Sequence, residues 1–500
     1  MNSRTCAYVA SRDYPNSWQG ANSVLFKLDS DREDGGLGIS EWHCPHPPLG
    51  QGDGDEEYCV FHTDPAELPV GIDQQEELLN ALDNAGDRPW DDRPEHRGQF
   101  IGATFGAIDL SDEMITATDK YDIRFDHARF QTEDDDLDFG GTTFETRGQH
   151  PISFVGAEFI TGGGDIWFTN ATFEVGGSGS VWFNEAMFRT DDDGRIIFWK
   201  AALRTNGSGS ISFRTARFRT DGSGDVWFRE ATFQVDGSGD IGFREVTFRA
   251  SGSGYVSFYR ARFQADGSGD IWFRRATFRT DADGRVRFEE AVLTDVHFRS
   301  VDFGKADLRG ADLSGTDLRE ATIANVSVAG ATTCKRLYEG EEWGDRSESR
   351  SNSRNWDTTA RAYHNLKVVF SNHGLIGKAR VMHVRERRAR SLEAKAAHGW
   401  LNRRYLSSLP SRVITGYGIQ VRSLVFWMVV LFLFSTAVYV GSGVRDTLIG
   451  NISYSVLVFT VAPPGVPEGV GTQVVMMVET FFGTLSIVLL GYILGNRERF

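Results

Sequence analysis

From Ile166 to Val286 the chain carries one pattern with a 15-residue period. An aliphatic residue, a spacer and an aromatic are followed, five residues after the aliphatic, by a small residue, a spacer and another aromatic. Ile166/Phe168/Ala171/Phe173 recurs as Val181/Phe183/Ala186/Phe188, as Ile211/Phe213/Ala216/Phe218, and four more times through Ile271/Phe273/Ala276/Phe278. Two copies end in Leu, at Leu203 and Leu293. A fixed short period means one supersecondary unit stacked on copies of itself, each burying its apolar face against its neighbours.

The third pentapeptide of each copy is polar, as in Asp221-Gly222-Ser223-Gly224-Asp225 and Asp236-Gly237-Ser238-Gly239-Asp240. If like stacks on like, each repeat is expected to make one coil, with two apolar sides and one turn-rich side. Coils of four pentapeptides would carry Ser and Asp around every face and bury polar groups in a narrow core. Three-sided coils are therefore expected here. Nine of them at about 4.8 Å per strand make a rod of roughly 43 Å. Phe168, Phe183, Phe213, Phe228, Phe243, Phe258 and Phe273 are expected in one inward stack. The glycines are expected to supply the φ > 0 corners. The Asp-Gly-x-Gly-Asp turns read as solvated Asx turns, with calcium binding as the alternative.

After Val296 the period shortens to five, in Ala306-Asp307-Leu308, Ala311-Asp312-Leu313, Thr316-Asp317-Leu318 and Ala321-Thr322-Ile323. Looser copies precede the regular array, such as Ile123/Phe125/Ala128/Phe130 and Ile152/Phe154/Ala157/Phe159. These residues resemble the pentapeptide-repeat family over residues 99–333, with Phe replacing Leu in the earlier part. That resemblance implies a right-handed β-helix whose central Leu or Phe and preceding small residue point inward, four units to a square coil. A four-sided cap is expected near 296–333.

The net charge is -16, with Lys occurring only eight times, so Arg supplies nearly all the positive charge. Abundant Asp with little Lys resembles the composition of proteins from salt-loving archaea. Nucleic acid is not an expected partner of so acidic a body. The Arg-rich run 377–422 precedes an apolar segment, which favours anionic lipid as its partner. Residues 1–98 are irregular, acidic and rich in Gly and Pro. They hold Cys6, Cys44 and Cys59, with Cys334 far off. No charged-then-apolar leader opens the chain, so reduced thiols are expected. Cys44-Pro45-His46 and Cys59-Val60-Phe61-His62 have short ligand spacings. With Cys6 they point to a structural zinc site of Cys6, Cys44, Cys59 and His62, with His43 and His46 as alternative donors and buried free thiols as the plain alternative. A segment without a visible core gains from such a staple. No phosphate loop, nucleophile elbow or metalloprotease motif is present, and no enzymatic activity is expected.

A linker, 334–356, leads to a helical hairpin expected over 357–412. Tyr363, Leu366, Val369 and Phe370 fall at helical spacing, Asn372-His373-Gly374 marks the turn, and Pro410 is expected to end it. His364, His373, His383 and His398 read as surface residues of these helices. Ser423–Val440 then carries no charge, and its length reaches roughly 27 Å as a helix. Val474–Leu494 is a second apolar stretch, interrupted only by Glu479. Arg403, Arg404, Arg412 and Arg422 precede the first, Arg497 and Arg499 follow the second, and the connection carries only Arg445. The positive-inside rule puts both termini and the rod in the cytoplasm of a multi-pass cell-membrane protein.

Between the two stretches, 446–459 suits a short helix, followed by Thr460-Val461-Ala462-Pro463-Pro464-Gly465. Span, short helix, Thr-Val turn, span resembles the two-transmembrane pore domain of potassium channels over 423–496. Carried over, Thr460 and Val461 match the start of the filter, Gly465 lies near its end, and Gly483 or Gly491 is the bend of the inner helix. The resemblance implies a homotetramer conducting a monovalent cation. Ala462, Pro463 and Pro464 depart from it, since Pro denies the left-handed backbone a carbonyl ladder needs. The expected function is an ion-channel type membrane protein, not potassium-selective, with a cytoplasmic repeat domain for assembly, sensing or protein binding. The alternative is a membrane-anchored scaffold that does not conduct. Glu479 reads either as a carboxylate facing a pore or partner helix, or as a residue near the helix end that reaches the headgroups.

Overall fold

The computed structural model describes residues 6–11, 41–50, 57–83, 98–118, 121–280, 285–329, 332–334, 336–337, 349–399, 401–414, 421–461 and 465–496. Two compact units, Met1–Tyr338 and Glu339–Phe500, divide the chain.

The first unit is a four-sided β-solenoid of parallel strands. Ile166 pairs with Ile196, and Val181 with Ile211 and, through it, Ile241. One coil therefore takes two of the 15-residue repeats. Each repeat supplies a two-residue strand and a four-residue strand, so a coil has four faces. The first face stacks Ile152–Ser153, Val181–Trp182, Ile211–Ser212, Ile241–Gly242 and Ile271–Trp272. The second stacks Glu158–Thr161, Met187–Thr190, Arg217–Thr220, Thr247–Ala250 and Thr277–Thr280. The third, from Ile166–Trp167 to Val286–Arg287, and the fourth, from Thr172–Val175 to Arg262–Ala265, come from the alternate repeats.

Three-sided coils of one repeat each are thus corrected. The polar pentapeptide is not a side of the coil. It is a loop added at two opposite corners of a square, so its Asp and Ser never enter the core. Where one loop is missing the coil shortens by a pentapeptide, and Trp272 bridges His297 and Thr277 bridges Asp302. Where both are missing it shortens again, and Arg287 bridges Asp307 and His297 bridges Asp317. The four-sided end expected near 296–333 is present. From Gly98 to Asp317 the first face has nine levels, roughly 38 Å in all, so nine levels take the whole repeat region and not its regular part alone.

The core is four columns of rings. Phe154, Phe183, Phe213, Phe243 and Phe273 stack in one, at 4.6–4.9 Å. Phe168, Phe198, Phe228 and Phe258 stack in the opposite one. The seven phenylalanines expected in one stack are all buried, but they divide between these two columns, Phe183, Phe213, Phe243 and Phe273 in one and Phe168, Phe228 and Phe258 in the other. The second and fourth faces add columns through Phe188 and Phe173, which meet the first two edge to face, as Phe159 meets Phe168 at 6.1 Å. Stacking and edge contacts of this kind add about 0.5–1.5 kcal/mol per pair beyond burial.

The left-handed corners fall mostly on residues other than glycine. Asn170, Glu185, Lys200, Thr215, Glu230, Glu245, Arg260, Arg275 and Glu290 all have φ between 55° and 62°, one per repeat. The loop glycines serve close approach instead: a Cβ on Gly239 would collide with the Gly209 carbonyl oxygen one coil away. Loops are tied to the strands by side chains. Thr190 Oγ1 donates to Gly194 O at 2.6 Å, and Thr220 Oγ1 to Gly224 O at 2.7 Å. Asp240 Oδ1 accepts from the Asp270 N–H at 2.7 Å and Asp225 Oδ1 from the Tyr255 N–H at 2.6 Å, so these carboxylates clamp successive coils.

The second unit is helical. Helices α2 (Ser349–Asn372) and α3 (Ile376–His398) form the expected hairpin about Tyr363, Leu366, Phe370 and Met382; α1 is Gln74–Asp83 of the first unit. Lys367 Nζ meets Glu386 at 2.8 Å, and His383 lies half-buried beside the same carboxylate, not on the surface. Pro410 does not end the helical region: α4 (Arg403–Ile414) runs through it. A proline removes only the one bond its own N–H would make, and the flanking turns persist. Then come α5 (Val421–Gly441), α6 (Leu448–Phe459) and α7 (Val470–Asn496). Helices α5 and α7 are long and apolar enough to cross a membrane.

Candidate metal centre and a buried carboxylate

Four donors from distant parts of the chain meet at the N-terminal end of the solenoid. Val9–Ser11 pairs antiparallel with Glu41–His43. The pairing continues through the Cys44 N–H to Tyr8 O at 3.1 Å and the Cys6 N–H to His46 O at 3.0 Å, which sets Cys6 beside Cys44. A tight turn, with the His62 and Thr63 N–H groups both donating to Cys59 O, aims Cys59 and His62 at the same point. The donor atoms of Cys6, Cys44, Cys59 and His62 all lie within 4.8 Å of one another. Cys44 Sγ is 3.7 Å from Cys59 Sγ, His62 Nδ1 is 3.2 Å from Cys59 Sγ, and Cys6 Sγ is 3.7 Å from His62 Nδ1. A tetrahedral zinc site has S–S edges of about 3.8 Å and S–N edges of about 3.6 Å, from its bond lengths. The residues therefore fit a metal ion.

The surroundings fit as well. His62 Nε2 donates to Ile101 O at 2.9 Å, which leaves Nδ1 as the lone-pair atom facing the sulfurs. Tyr8 stacks on the ring at 3.8 Å and 12°. The Cys59 N–H donates to Cys6 Sγ at 3.2 Å. Hydrogen bonds from Cys44 and Cys59 hold the Cys6 thiol far below its usual range. Burial pushes Cys44 up and takes Cys59 to about 12. A metal ion bound here would be held by the deprotonated sulfurs and the neutral imidazole. His46 is elsewhere: its Nε2 bonds Gln99 O at 2.9 Å and its ring stacks on Phe100 at 5.0 Å. His43 is not in the group either. Phe61 meets Phe100 edge-on, so the knob covers the open end of the ring columns. Among the described residues, the corner carboxylates do not gather into a group of three able to hold a metal ion.

In the helical unit, Glu479 is fully buried in the first half of α7. Tyr439 Oη of α5 donates to its Oε2 at 2.7 Å, and Ser455 Oγ of α6 to its Oε1 at 2.5 Å. The carboxylate faces helices of its own chain, and the reading in which it reaches the headgroups does not hold. Tyr439 and Ser455 carried no signal in the sequence. Asn451 ties the turn before α6, with Nδ2 donating to Arg445 O at 2.7 Å, and Tyr454 Oη donates to Gly465 O at 2.8 Å, tying the segment after it. Gly483 packs on Phe459, whose carbonyl would lie 2.8 Å from a Cβ, whereas nothing lies near Gly491. The Thr460 N–H bonds Val456 O, ending α6, and Val461 takes φ 68°, a strained value for a β-branched residue. Ala462, Pro463 and Pro464 lie outside the described residues.

A sequence model of pentapeptide repeats, in eight copies, matches residues 285–327. The match coincides with the short coils that lack corner loops, where the unit is a bare pentapeptide. No curated protein matches the chain.

Proposed function

We propose that this is an integral membrane protein of ion-channel type. Its α5–α6–α7 region assembles as a tetramer, and its right-handed pentapeptide solenoid serves assembly or protein binding in the cytoplasm. The observation that carries this reading is α6. Its length of about 18 Å falls short of the ~30 Å hydrocarbon layer, yet it is apolar and bonded to both long helices through Glu479. A chain that enters the bilayer there must turn back, as a pore helix does. Phe426, Leu433, Phe434, Phe481 and Val488 leave the outer surfaces of the long helices apolar and exposed, as lipid or neighbouring subunits require. Conductance across a planar bilayer holding the purified protein tests the reading. Current with little K⁺/Na⁺ discrimination supports it, and a monomer in both mild detergent and native membranes refutes it. One observation favours a non-conducting scaffold: Glu479 is satisfied within one chain and needs no partner subunit. For the N-terminal centre the same proposal assigns zinc, as a staple that closes the end of the solenoid and takes no part in chemistry.

A further inference from the structure

The chain is acidic overall, but the solenoid sorts its charge by face. Over residues 211–219, 241–249 and 271–279, which form the first and second faces, there are eight arginines against one glutamate. Over 226–234, 256–264 and 286–294, which form the other two faces of the same region, there are four arginines against three glutamates. Register turns the excess into columns. Arg189, Arg219, Arg249 and Arg279 pair directly on the second face. Arg214, Arg244, Arg274 and Arg299 rise beside the first face, where the Thr215, Glu245 and Arg275 N–H groups donate to the Arg244, Arg274 and Arg299 carbonyls. Rungs about 4.8 Å apart put like charges directly opposite one another, which costs stability. Local acids offset part of it: Glu245 lies 3.5 Å from Arg244 and 3.4 Å from Arg275, and Asp221 lies 2.8 Å from Arg219. The ring columns inside do not require arginine at these outward positions.

Two further observations give the strip a character. Trp182 and Trp272 stand on the first face with Ser212 and Gly242 between them, and the space over Gly242 is open. The margins of the strip are the corner loops, with Asp191, Asp221 and Asp225 on one side and Asp236, Asp240, Asp266 and Asp270 on the other. We propose that this strip binds a single-stranded nucleic acid, its phosphates along the arginine columns and its bases against Trp182 and Trp272. A narrow basic track between acidic margins admits one linear polyanion running along the rod. A flat anionic bilayer would press on the margins as well and be repelled by them. The overall negative charge does not prevent this, because at ~0.1 M salt a charge is felt over only about 10 Å. Arginine with interspersed aromatic rings is what sequence-tolerant binding of single strands uses.

The test is fluorescence anisotropy of a labelled oligothymidylate of about 20 nucleotides with the full chain in detergent. Saturable binding is expected, with a log–log salt slope of about −3 for four or five phosphates. The triple variant Arg244→Glu, Arg249→Glu, Arg274→Glu should weaken it by at least about 30-fold, and the charge-matched variant Arg204→Glu, Arg260→Glu, Arg262→Glu on the other faces by less than about 3-fold. As a guard against misfolding, Arg274→Gln should keep the wild-type melting curve and reduce the slope by about 0.7. Absence of binding at about 50 mM salt, equal losses in the two triple variants, or preferential binding of phosphatidylglycerol vesicles through the same arginines would overturn the proposal.

Discussion

Replacing His297 with Gln removes a charge that the solenoid holds under its surface. The ring stacks on Trp272 at 4.3 Å where the long looped coils give way to short bare ones, and it is only 5% exposed. Its Nε2 lies 3.4 Å from Asp270 and its Nδ1 3.6 Å from Asp317. Burial pulls the imidazolium's pKa down, but Asp270 and Asp317 outweigh it and raise the value from 6.5 to about 9. A shift of that size corresponds to about 3 kcal/mol. Because the folded value is the higher one, the stabilisation is fully present below pH 6.5 and fades as pH rises through 9. Urea unfolding of wild type and His297→Gln between about pH 6 and pH 10 is the assay. Wild type should lose about 3 kcal/mol more than the variant across that window, so that the two converge at the alkaline end. Parallel curves would show that the ring is neutral when folded and that the two carboxylates do not act on it. Asp317 supplies an internal control. Burial raises its pKa, but Arg319, the larger partner, and His297 bring it to about 2, so its contribution is lost as pH falls below 3.8 toward 2. Most of that acid-side loss should survive in the variant.

Phe228→Asp should place an unpaired carboxylate between Phe198 and Phe258, cost upwards of about 3 kcal/mol and unfold the adjoining coils, read by melting and proteolysis; wild-type melting would put that ring outside the core. Thr215→Gly should raise stability by about 0.5–1 kcal/mol, because a β-branched residue at φ 57° is strained where glycine is not; destabilisation would mean that the corner is not left-handed. Protein purified without chelator should hold about one equivalent of zinc, lost in Cys59→Ser, while less than about a tenth of an equivalent in the wild type would end that assignment.

What the sequence made legible follows from how local each feature is. The inward burial of the Phe rings and the pairing of Cys59 with His62 are short-range, and both stand where spacing puts them, whereas the sorting of the rings into columns depends on the coil and does not. Cys6 joins them because strand pairing brings 9–11 to 41–43, and the Ile101 carbonyl that sets the His62 tautomer has no side-chain signature at all. Glu479 shows the same limit. Its partners Tyr439 and Ser455 are far off along the chain, and only helix packing brings them together.

The coil is the instructive error, because a 15-residue spacing is compatible with one repeat per turn or two. Strand pairing shows that it is two, so four inward rings share each turn and the polar pentapeptide leaves the square at its corners. A second, longer period was present all along. Alternate repeats end differently: Phe218-Arg219, Phe248-Arg249 and Phe278-Arg279 against Phe233-Gln234 and Phe263-Gln264. From Arg219 onward Arg therefore recurs in every second repeat with Gln in the repeats between, although earlier Arg189 and Arg204 end consecutive repeats and Glu174 stands in the Gln series. Strand pairing places the Arg series on the second face and the Gln series on the fourth. If each coil had been a single repeat, Arg and Gln would alternate up one face and neither series would form a column. The same alternation that measures the coil is therefore what gathers arginine onto one side of an acidic rod, which bulk charge alone conceals.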